Sequence, residues 1–175
     1  LAEDIFLGRQ PIVDRAQQLH GFELLFRNSP ANHATVTDNT AATSTVIINT
    51  LSEFGLENVL GGFAGYINCD TSFLMSDAIA LLPADKVVLE LLENTVSDAA
   101  VLRRCIQLQS LGFRLALDDF QGATDNNRAL LPIMNIIKVD INGLSQDKLE
   151  AVSRDVRTLN VIRLAEKVET AAQFS

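Results

Sequence analysis

The sequence is poor in cysteine, and its two cysteines are distant from each other. Cys69 and Cys105 form no CxxC motif, and two such residues cannot supply the dense disulfide framework of a small secreted domain. The chain shows no signal-peptide pattern either. These absences favour a reducing compartment, and we expect a cytoplasmic protein.

Positive charge is also scarce. The chain has 14 Lys and Arg residues against 22 Asp and Glu residues, a formal net charge of −8. Proteins that bind DNA or RNA neutralise phosphates with clustered Lys and Arg, so we expect no nucleic-acid partner. A small phosphorylated ligand is compatible with this charge if metal ions offset the acids. No apolar run has the length of a membrane span, so no membrane segment is predicted.

Strand-length apolar runs alternate with helical patterns along the 175 residues, a length typical of one domain. Strands are predicted at Ile5–Ile12, Leu19–Arg27, Phe63–Asn68, Lys86–Leu92, Phe113–Asp119, Asn135–Asp140 and Val161–Ala165. A helix is predicted over Val46–Phe54 with Gly55 as its stop, and Ser97 and Ser145 are predicted to cap two further helices. Asn28–Asn39 is predicted to be a long loop.

This alternation predicts an α/β fold with a mainly parallel sheet. An open nucleotide-binding sheet would carry a glycine fingerprint after its first strand, and the sequence has none. We therefore expect a TIM-type (β/α) barrel. Such a barrel takes eight strands and about 250 residues, whereas seven strands are predicted here. The barrel is accordingly expected to be incomplete at the C-terminus of this chain.

Acidic residues lie within or at the end of several predicted strands. They are Glu23, Glu90, Asp118 with Asp119, Asp140 and Glu166. Acids are rarely buried unless they are paired or bind a metal. In a parallel barrel the strand ends converge on the C-terminal face, where active sites lie. Because like charges cannot stay ionised together without cations, this pattern predicts a metal site.

The motifs that carry these acids resemble the EAL family, bacterial domains that hydrolyse cyclic di-GMP. Gln10-Pro11-Ile12-Val13 and Glu23-Leu24-Leu25-Phe26-Arg27 are similar to its QPIV and EAL-L-R motifs, and Tyr66-Ile67-Asn68 to its metal-binding Asn strand. Leu89-Glu90-Leu91-Leu92-Glu93, Leu115-Ala116-Leu117-Asp118-Asp119-Phe120, Ile137-Lys138-Val139-Asp140 and Ala165-Glu166-Lys167-Val168-Glu169-Thr170 resemble its ELTE, LAxDDF, IKxD and AEGVET. Residues 1–175 thus resemble a single EAL domain that lacks the last part of its barrel.

The resemblance implies a role for each matching residue. Glu23, Asn68, Glu90 and Asp118 match ligands of a pair of Mg²⁺ or Mn²⁺ ions, with Asp119 bridging or adjoining them. Lys138 matches a residue that orients the attacking water, and Glu166 a further acid of the site. Gln10 and Arg27 match groups that hold the dinucleotide. The reaction implied is hydrolysis of cyclic di-GMP to pGpG.

Several positions depart from the family pattern. Lys167 replaces the Gly of AEGVET, and Gln121–Asn126 replaces a glycine-rich loop that supports the Asp pair and dimerisation in the family. We expect this loop to be displaced or disordered. The variant motifs are most similar to a divergent branch in which an EAL-like domain precedes an HDOD output domain and catalysis is weak or lost.

Two functions follow from these motifs: a degenerate signalling domain that regulates an attached output domain, and an active two-metal cyclic di-GMP phosphodiesterase. Another acid-rich barrel hydrolase is a third alternative. Single residues also have purely structural interpretations. Glu23 could pair with Arg27, Asp118 and Asp119 could cap a helix, and Lys138 could be satisfied by Asp140.

Overall fold

The computed structural model describes residues 6–14, 16–27, 47–48, 51, 55–168 and 170, with Phe6 and Arg27 described by their backbone alone. These residues form two compact units, one ending at Val87 and the other beginning at Val88. The predicted loop Asn28–Asn39 lies outside the described residues. The same holds for most of the predicted helix Val46–Phe54, of which residues 47, 48 and 51 are described and are helical.

The first unit contains strands β1 (Phe6–Val13), β2 (Leu19–Arg27) and β3 (Ala64–Cys69). β1 and β2 are antiparallel, with Gln10 opposite Glu23, whereas β2 and β3 are parallel, with Glu23 opposite Tyr66. Gly21 lets the backbones of β2 and β3 approach each other closely, since a Cβ at this position would lie 2.7 Å from the Ala64 carbonyl oxygen. The register therefore places Gln10, Glu23 and Tyr66 in one row across the three strands.

Short helices cover the β3 region of this unit. They are α1 (Leu56–Leu60), α2 (Thr71–Met75) and a 3₁₀ turn at Asp77–Leu81. Asp70 caps α2, because its Oδ1 accepts a hydrogen bond from the Phe73 amide at 2.7 Å. Leu60, Phe73, Leu74 and Ile79 are buried. The Phe22 ring of β2 meets Phe63 edge-on, with centroids 6.2 Å apart.

The second unit carries four parallel strands. β4 (Val87–Leu91) starts at the boundary between the units and pairs with β5 (Arg114–Leu117), which pairs with β6 (Ile136–Asp140), which pairs with β7 (Ile162–Glu166). Helices α3 (Ala99–Ser110) and α4 (Gln146–Val156) and a 3₁₀ turn at Leu131–Ile133 connect them. β4 and β6 are buried at every position, as expected for parallel strands covered on both faces.

The helix caps of this unit match the sequence prediction at one helix and differ at the other. Ser145 caps α4, with its Oγ 3.3 Å from the Lys148 amide. The Ser97 cap is wrong by one residue: Asp98 caps α3 and accepts from the amides of Ala100 and Val101, each at 2.8 Å. An ionised carboxylate can accept both bonds and also complements the partial positive charge of the helix N-terminus.

Candidate functional site

The register of the second unit puts its charged strand residues on one face of the sheet. Glu90 lies opposite Ala116, Ala116 opposite Ile136, and Ile136 opposite Ile162. Side chains two residues apart in a strand share a face. The charged residues therefore all lie on the same face of the sheet as this row, although they come from different strand segments: Glu90, Asp118, Lys138, Asp140 and Glu166.

Lys138 is the centre of this group. Its Nζ lies 2.7 Å from Glu90 Oε1, 2.7 Å from Asp118 Oδ1 and 2.8 Å from Glu166 Oε1. The Lys138 side chain is 1% exposed and the Glu90 side chain is fully buried. Burial of ions in a medium of low dielectric is tolerated only where opposite charges compensate each other. The ammonium group thus makes the convergence of three carboxylates possible.

Glu166 is an acid of this group whose pKa is raised. Burial raises the pKa of Glu166 to about 7, and the neighbouring charge of Asp118 adds to the rise, whereas Lys138 opposes it. Its Oε2 is buried and accepts no hydrogen bond from the described residues. A buried oxygen without a donor is costly, and a metal ion can provide the missing interaction.

A second lysine contacts the acids at the strand ends. Lys167 Nζ donates to Asp140 Oδ2 at 2.5 Å and to Asp119 Oδ1 at 3.3 Å. The bond to Asp140, with a contribution from Asp119, raises the pKa of Lys167. Burial raises the pKa of Asp140, but the bonds from Lys167 and the Asn142 amide outweigh this effect and leave it below the ordinary value. This contact therefore holds both partners in their charged forms.

The turns that present this contact are left-handed. Asp119 has a φ of 46° and Lys167 a φ of 56°, a region that residues other than glycine adopt at a cost of about 1–3 kcal/mol. Such conformations cluster at functional sites. Lys167 directly follows the end of β7, and Asp119 lies two residues after the end of β5, so the strain is located where the charged groups meet.

Asp118, Asp119 and Glu166 form a cluster that could hold a metal. One carboxylate oxygen from each lies within 4.8 Å of the others. Mg²⁺ and Mn²⁺ prefer oxygen ligands, and Glu166 Oε2 offers one that has no hydrogen-bond donor among the described residues. The donor set therefore fits a hard divalent cation.

The first unit brings together another part of the predicted site. Asn68 Nδ2 lies 3.5 Å from Glu23 Oε1, and Gln10 is opposite Glu23 across the β1–β2 pair. Asn68 Oδ1 is buried and accepts no hydrogen bond from the described residues. The predicted pairing of Glu23 with Arg27 falls on a side chain outside the described part of the structure.

The loop after the Asp pair, Gln121–Asn126, is held by hydrogen bonds to Asn127 and Asp155, which does not fit the disorder expected as one alternative; its displacement stays a prediction. Asn127 is buried; its Oδ1 accepts from the Thr124 amide at 2.8 Å and its Nδ2 donates to the Gly122 carbonyl at 3.2 Å. Asp155 of α4 accepts from the Ala123 amide at 2.9 Å. Gly122 supplies the one conformation, φ 133°, that only glycine adopts readily.

A cavity of about 400 Å³ lies beside this loop. Its wall includes Glu93, Asp118, Asp119 and Lys148 as well as much of the loop. This volume is in the range of small-molecule sites. The second unit therefore places a ligand-sized space against the candidate metal cluster.

The contacts decide two of the structural alternatives. Lys138 is paired with Glu90, Asp118 and Glu166, whereas Asp140 pairs with Lys167, so the expected Lys138–Asp140 pair is wrong. The helical segment that follows the Asp pair begins at Leu131, so these acids do not cap it. Asp140 and Lys167 were visible in the sequence as a strand-end acid and a departure from the family motif, but their contact with each other was not predicted, and Asn127 had no predicted role. The Gly-to-Lys change at position 167 was a visible signal in the sequence, but which acid Lys167 contacts depends on the geometry of its turn.

The sequence model of the EAL domain family matches residues 2–175. The chain belongs to the EAL domain family. Among curated proteins it is 30% identical over 172 residues to the cyclic di-GMP phosphodiesterase CdgJ of Vibrio cholerae and 30% identical over 174 residues to the uncharacterised protein YuxH of Bacillus subtilis. The alignments cover 97% of this chain but 40% and 42% of those proteins. The chain thus spans about two fifths of the length of these relatives.

Solved structures show the same fold. The crystal structure of YkuI from Bacillus subtilis, a protein with an EAL domain in complex with substrate cyclic di-GMP and calcium, matches with a TM-score of 0.75 and 19% identity. The match covers 97% of this chain and 50% of YkuI. The predicted fold class, an α/β TIM-type barrel of EAL type that is incomplete in this chain, is confirmed. Among the described residues, no helix has the length and hydropathy of a membrane span.

Proposed function

We propose that this EAL domain binds cyclic di-GMP with weak or no phosphodiesterase activity and regulates an output domain of the same protein. The observation that carries this proposal is the position of Lys167, a departure from the family motif, whose ammonium group lies against Asp119 and Asp140. The acids that the family motifs require are present, but protein ammonium groups already compensate them.

In this proposal the acids hold divalent Mg²⁺ or Mn²⁺ when a ligand binds. Asp118, Asp119 and Glu166 contribute from the second unit, and Glu90 from the same sheet face. Glu23 and Asn68 of the first unit are further candidate ligands by their match to the family motifs. Bound divalent ions supply charge for the phosphodiester and lower the pKa of a bound water.

The remaining residues act on the dinucleotide and on the water. Gln10 and Arg27 hold the dinucleotide, by their match to the family motifs. Lys138 has the donors to orient a water, but its ammonium group lies within ion-pair distance of three carboxylates. A water would have to compete with those acids for the Lys138 protons.

The sequence departures support the same conclusion. Lys167 adds a positive charge beside Glu166, and the loop at Gln121–Asn126 has one glycine, Gly122, where the family has a glycine-rich turn. The loop is held by Asn127 and Asp155 in a conformation of its own. Misplacing a catalytic group by about 1 Å can lower a rate on the order of a hundredfold.

The regulated partner is proposed to be an HDOD domain. The curated relatives extend well beyond the matched region, and the motif variants are most similar to the EAL–HDOD branch. A homodimer is also part of this proposal as an expectation from the family, although Gln121–Asn126 replaces the loop that supports dimerisation there.

An active two-metal phosphodiesterase is the second candidate. The buried Glu166 Oε2 without a donor among the described residues, within a carboxylate cluster of suitable spacing, favours it. CdgJ carries the name of a cyclic di-GMP phosphodiesterase. The two candidates share ligand binding and differ in turnover.

Ligand binding is tested by calorimetry on the natural protein that contains this chain, with Mn²⁺ present. We expect saturable binding of cyclic di-GMP, none of cyclic di-AMP, and weaker binding in Asp118→Asn. Asp125→Asn is the matched control, since Asp125 is exposed and outside the metal cluster. Absence of cyclic di-GMP binding in the unmodified protein would contradict both candidates.

A further inference from the structure

Lys167 places a positive charge on an acid of the candidate metal cluster. Its Nζ contacts Asp119 Oδ1 at 3.3 Å and Asp140 Oδ2 at 2.5 Å. Asp119 is also one of the three carboxylates whose oxygens lie within 4.8 Å of one another. The same carboxylate is therefore shared between a protein cation and the space where a metal would bind.

The local geometry favours this contact over a solvated lysine. The Lys167 side chain is half exposed, yet it reaches Asp140, whose side chain is only 10% exposed. The Asp140 Oδ1 accepts from the Asn142 amide at 2.9 Å, so both of its oxygens are engaged. A lysine with a φ of 56° occupies a conformation that suits glycine, and that turn is what directs its side chain to the acids.

Two lysines compensate the negative charges of the acids on this sheet face, and each contacts a different set of acids. Lys138 is surrounded by Glu90, Asp118 and Glu166, and Lys167 is the second cation, contacting Asp119 and Asp140. Opposite charges a few Å apart attract strongly where water is partly excluded. A divalent ion that needs Asp119 must therefore displace Lys167 or bind beside it against charge repulsion.

We propose that Lys167 is a resident cation that takes the place of a divalent ion at Asp119 and is held there by its contact with Asp140. With Lys167 present, the acidic face has one high-affinity site for a divalent ion fewer than it would have with a neutral residue at position 167. This inference rests on the proposed metal binding of the domain. It explains the proposed weak catalysis by the absence of one of the divalent ions that the reaction needs.

Manganese binding to the metal-free natural protein tests this role without any nucleotide. Free Mn²⁺ is quantified by electron paramagnetic resonance during titration, which gives the number and affinity of the sites. Lys167→Gly and Lys167→Asn remove the charge, and both residues tolerate a positive φ. Two such variants keep the test valid if one of them fails to fold. Lys167→Arg retains the charge.

We expect Lys167→Gly and Lys167→Asn to gain one site, or to tighten the weaker site about tenfold or more, while Lys167→Arg resembles the unmodified protein. Lys148→Gln is the matched control, because Lys148 lines the same cavity and its loss should leave the Mn²⁺ isotherm unchanged. Identical isotherms for the unmodified protein and both neutral variants would overturn the proposal, as would an equal gain in Lys148→Gln. Failure of cyclic di-GMP binding would leave the Mn²⁺ result intact, so the two proposals fail separately.

Discussion

The ammonium nitrogen of Lys138 lies 2.7 Å from Glu90 Oε1, and the two side chains are 1% and 0% exposed. Strand β5 lies between β4, which carries Glu90, and β6, which carries Lys138, so the pair links non-adjacent strands through their shared face. Breaking such a pair leaves a buried charge without compensation, which is more costly than the pair is stabilising.

Replacing Lys138 should therefore destabilise the fold strongly. We expect Lys138→Met to lower the free energy of unfolding by about 3–5 kcal/mol, as is typical when one partner of a buried pair is removed. Urea denaturation measures this change. The exposed Lys148 provides the control: Lys148→Met should stay within about 0.5 kcal/mol. Equal stabilities of Lys138→Met and the unmodified chain would show that the acids are compensated in another way.

Divalent metal should stabilise the fold, because it binds acids that repel each other. The melting temperature is expected to rise with millimolar Mn²⁺, and the rise should vanish in Asp118→Asn. Differential scanning fluorimetry with a chelator baseline measures the effect, and Asp125→Asn should retain it. A melting curve that does not respond to Mn²⁺ would mean that Lys138 and Lys167 satisfy the acids completely.

Glu166 should make the metal-free protein less stable as the pH rises. Its pKa in the folded state is about 7 against an ordinary value of 4.5, so the folded state holds more protons than the unfolded state between these values. The contribution of Glu166 to stability is therefore present below about pH 4.5 and is lost as the pH rises to about 7. Denaturation at several pH values in chelator should show a smaller decline in Glu166→Gln. Parallel declines in the two proteins would contradict the raised pKa.

Asn127 should hold the loop beside the Asp pair. Its side chain makes bonds to the Thr124 amide and to the Gly122 carbonyl, and the residue is buried. Asn127→Ala leaves both backbone groups without these partners, at a cost of about 1–3 kcal/mol. Hydrogen exchange of the Thr124 amide should accelerate in the same variant. Asn126→Ala, at an exposed neighbour, should alter neither quantity.

The sequence predicted the strands well because their apolar runs are continuous and bounded by turns. Each of the seven predicted strands overlaps an observed one, and no strand end shifts by more than two residues. It also predicted which acids lie near strand ends, since parallel strands bring equivalent ends to one edge. Cross-strand register then groups Glu90, Asp118, Lys138 and Glu166.

The charge partners could not be predicted from the sequence. Lys138 and Asp140 lie on one face of β6, which made their pairing plausible, but Asp140 instead meets Lys167 across the β6–β7 pair. That contact depends on the left-handed turn at Lys167, which no apolar pattern encodes. The loop at Gln121–Asn126 escaped prediction for a similar reason, because a side chain outside it, Asn127, provides its hydrogen bonds.

Turnover of cyclic di-GMP by the natural protein tests the central claim most directly. Ligand and Mn²⁺ are supplied at saturating concentrations, and pGpG is quantified by chromatography, with Asp118→Asn as the blank. The account predicts saturable binding with pGpG formed slowly or not at all, and a higher rate in Lys167→Gly if catalysis is retained. Brisk metal-dependent hydrolysis by the unmodified protein would contradict it and identify an ordinary phosphodiesterase.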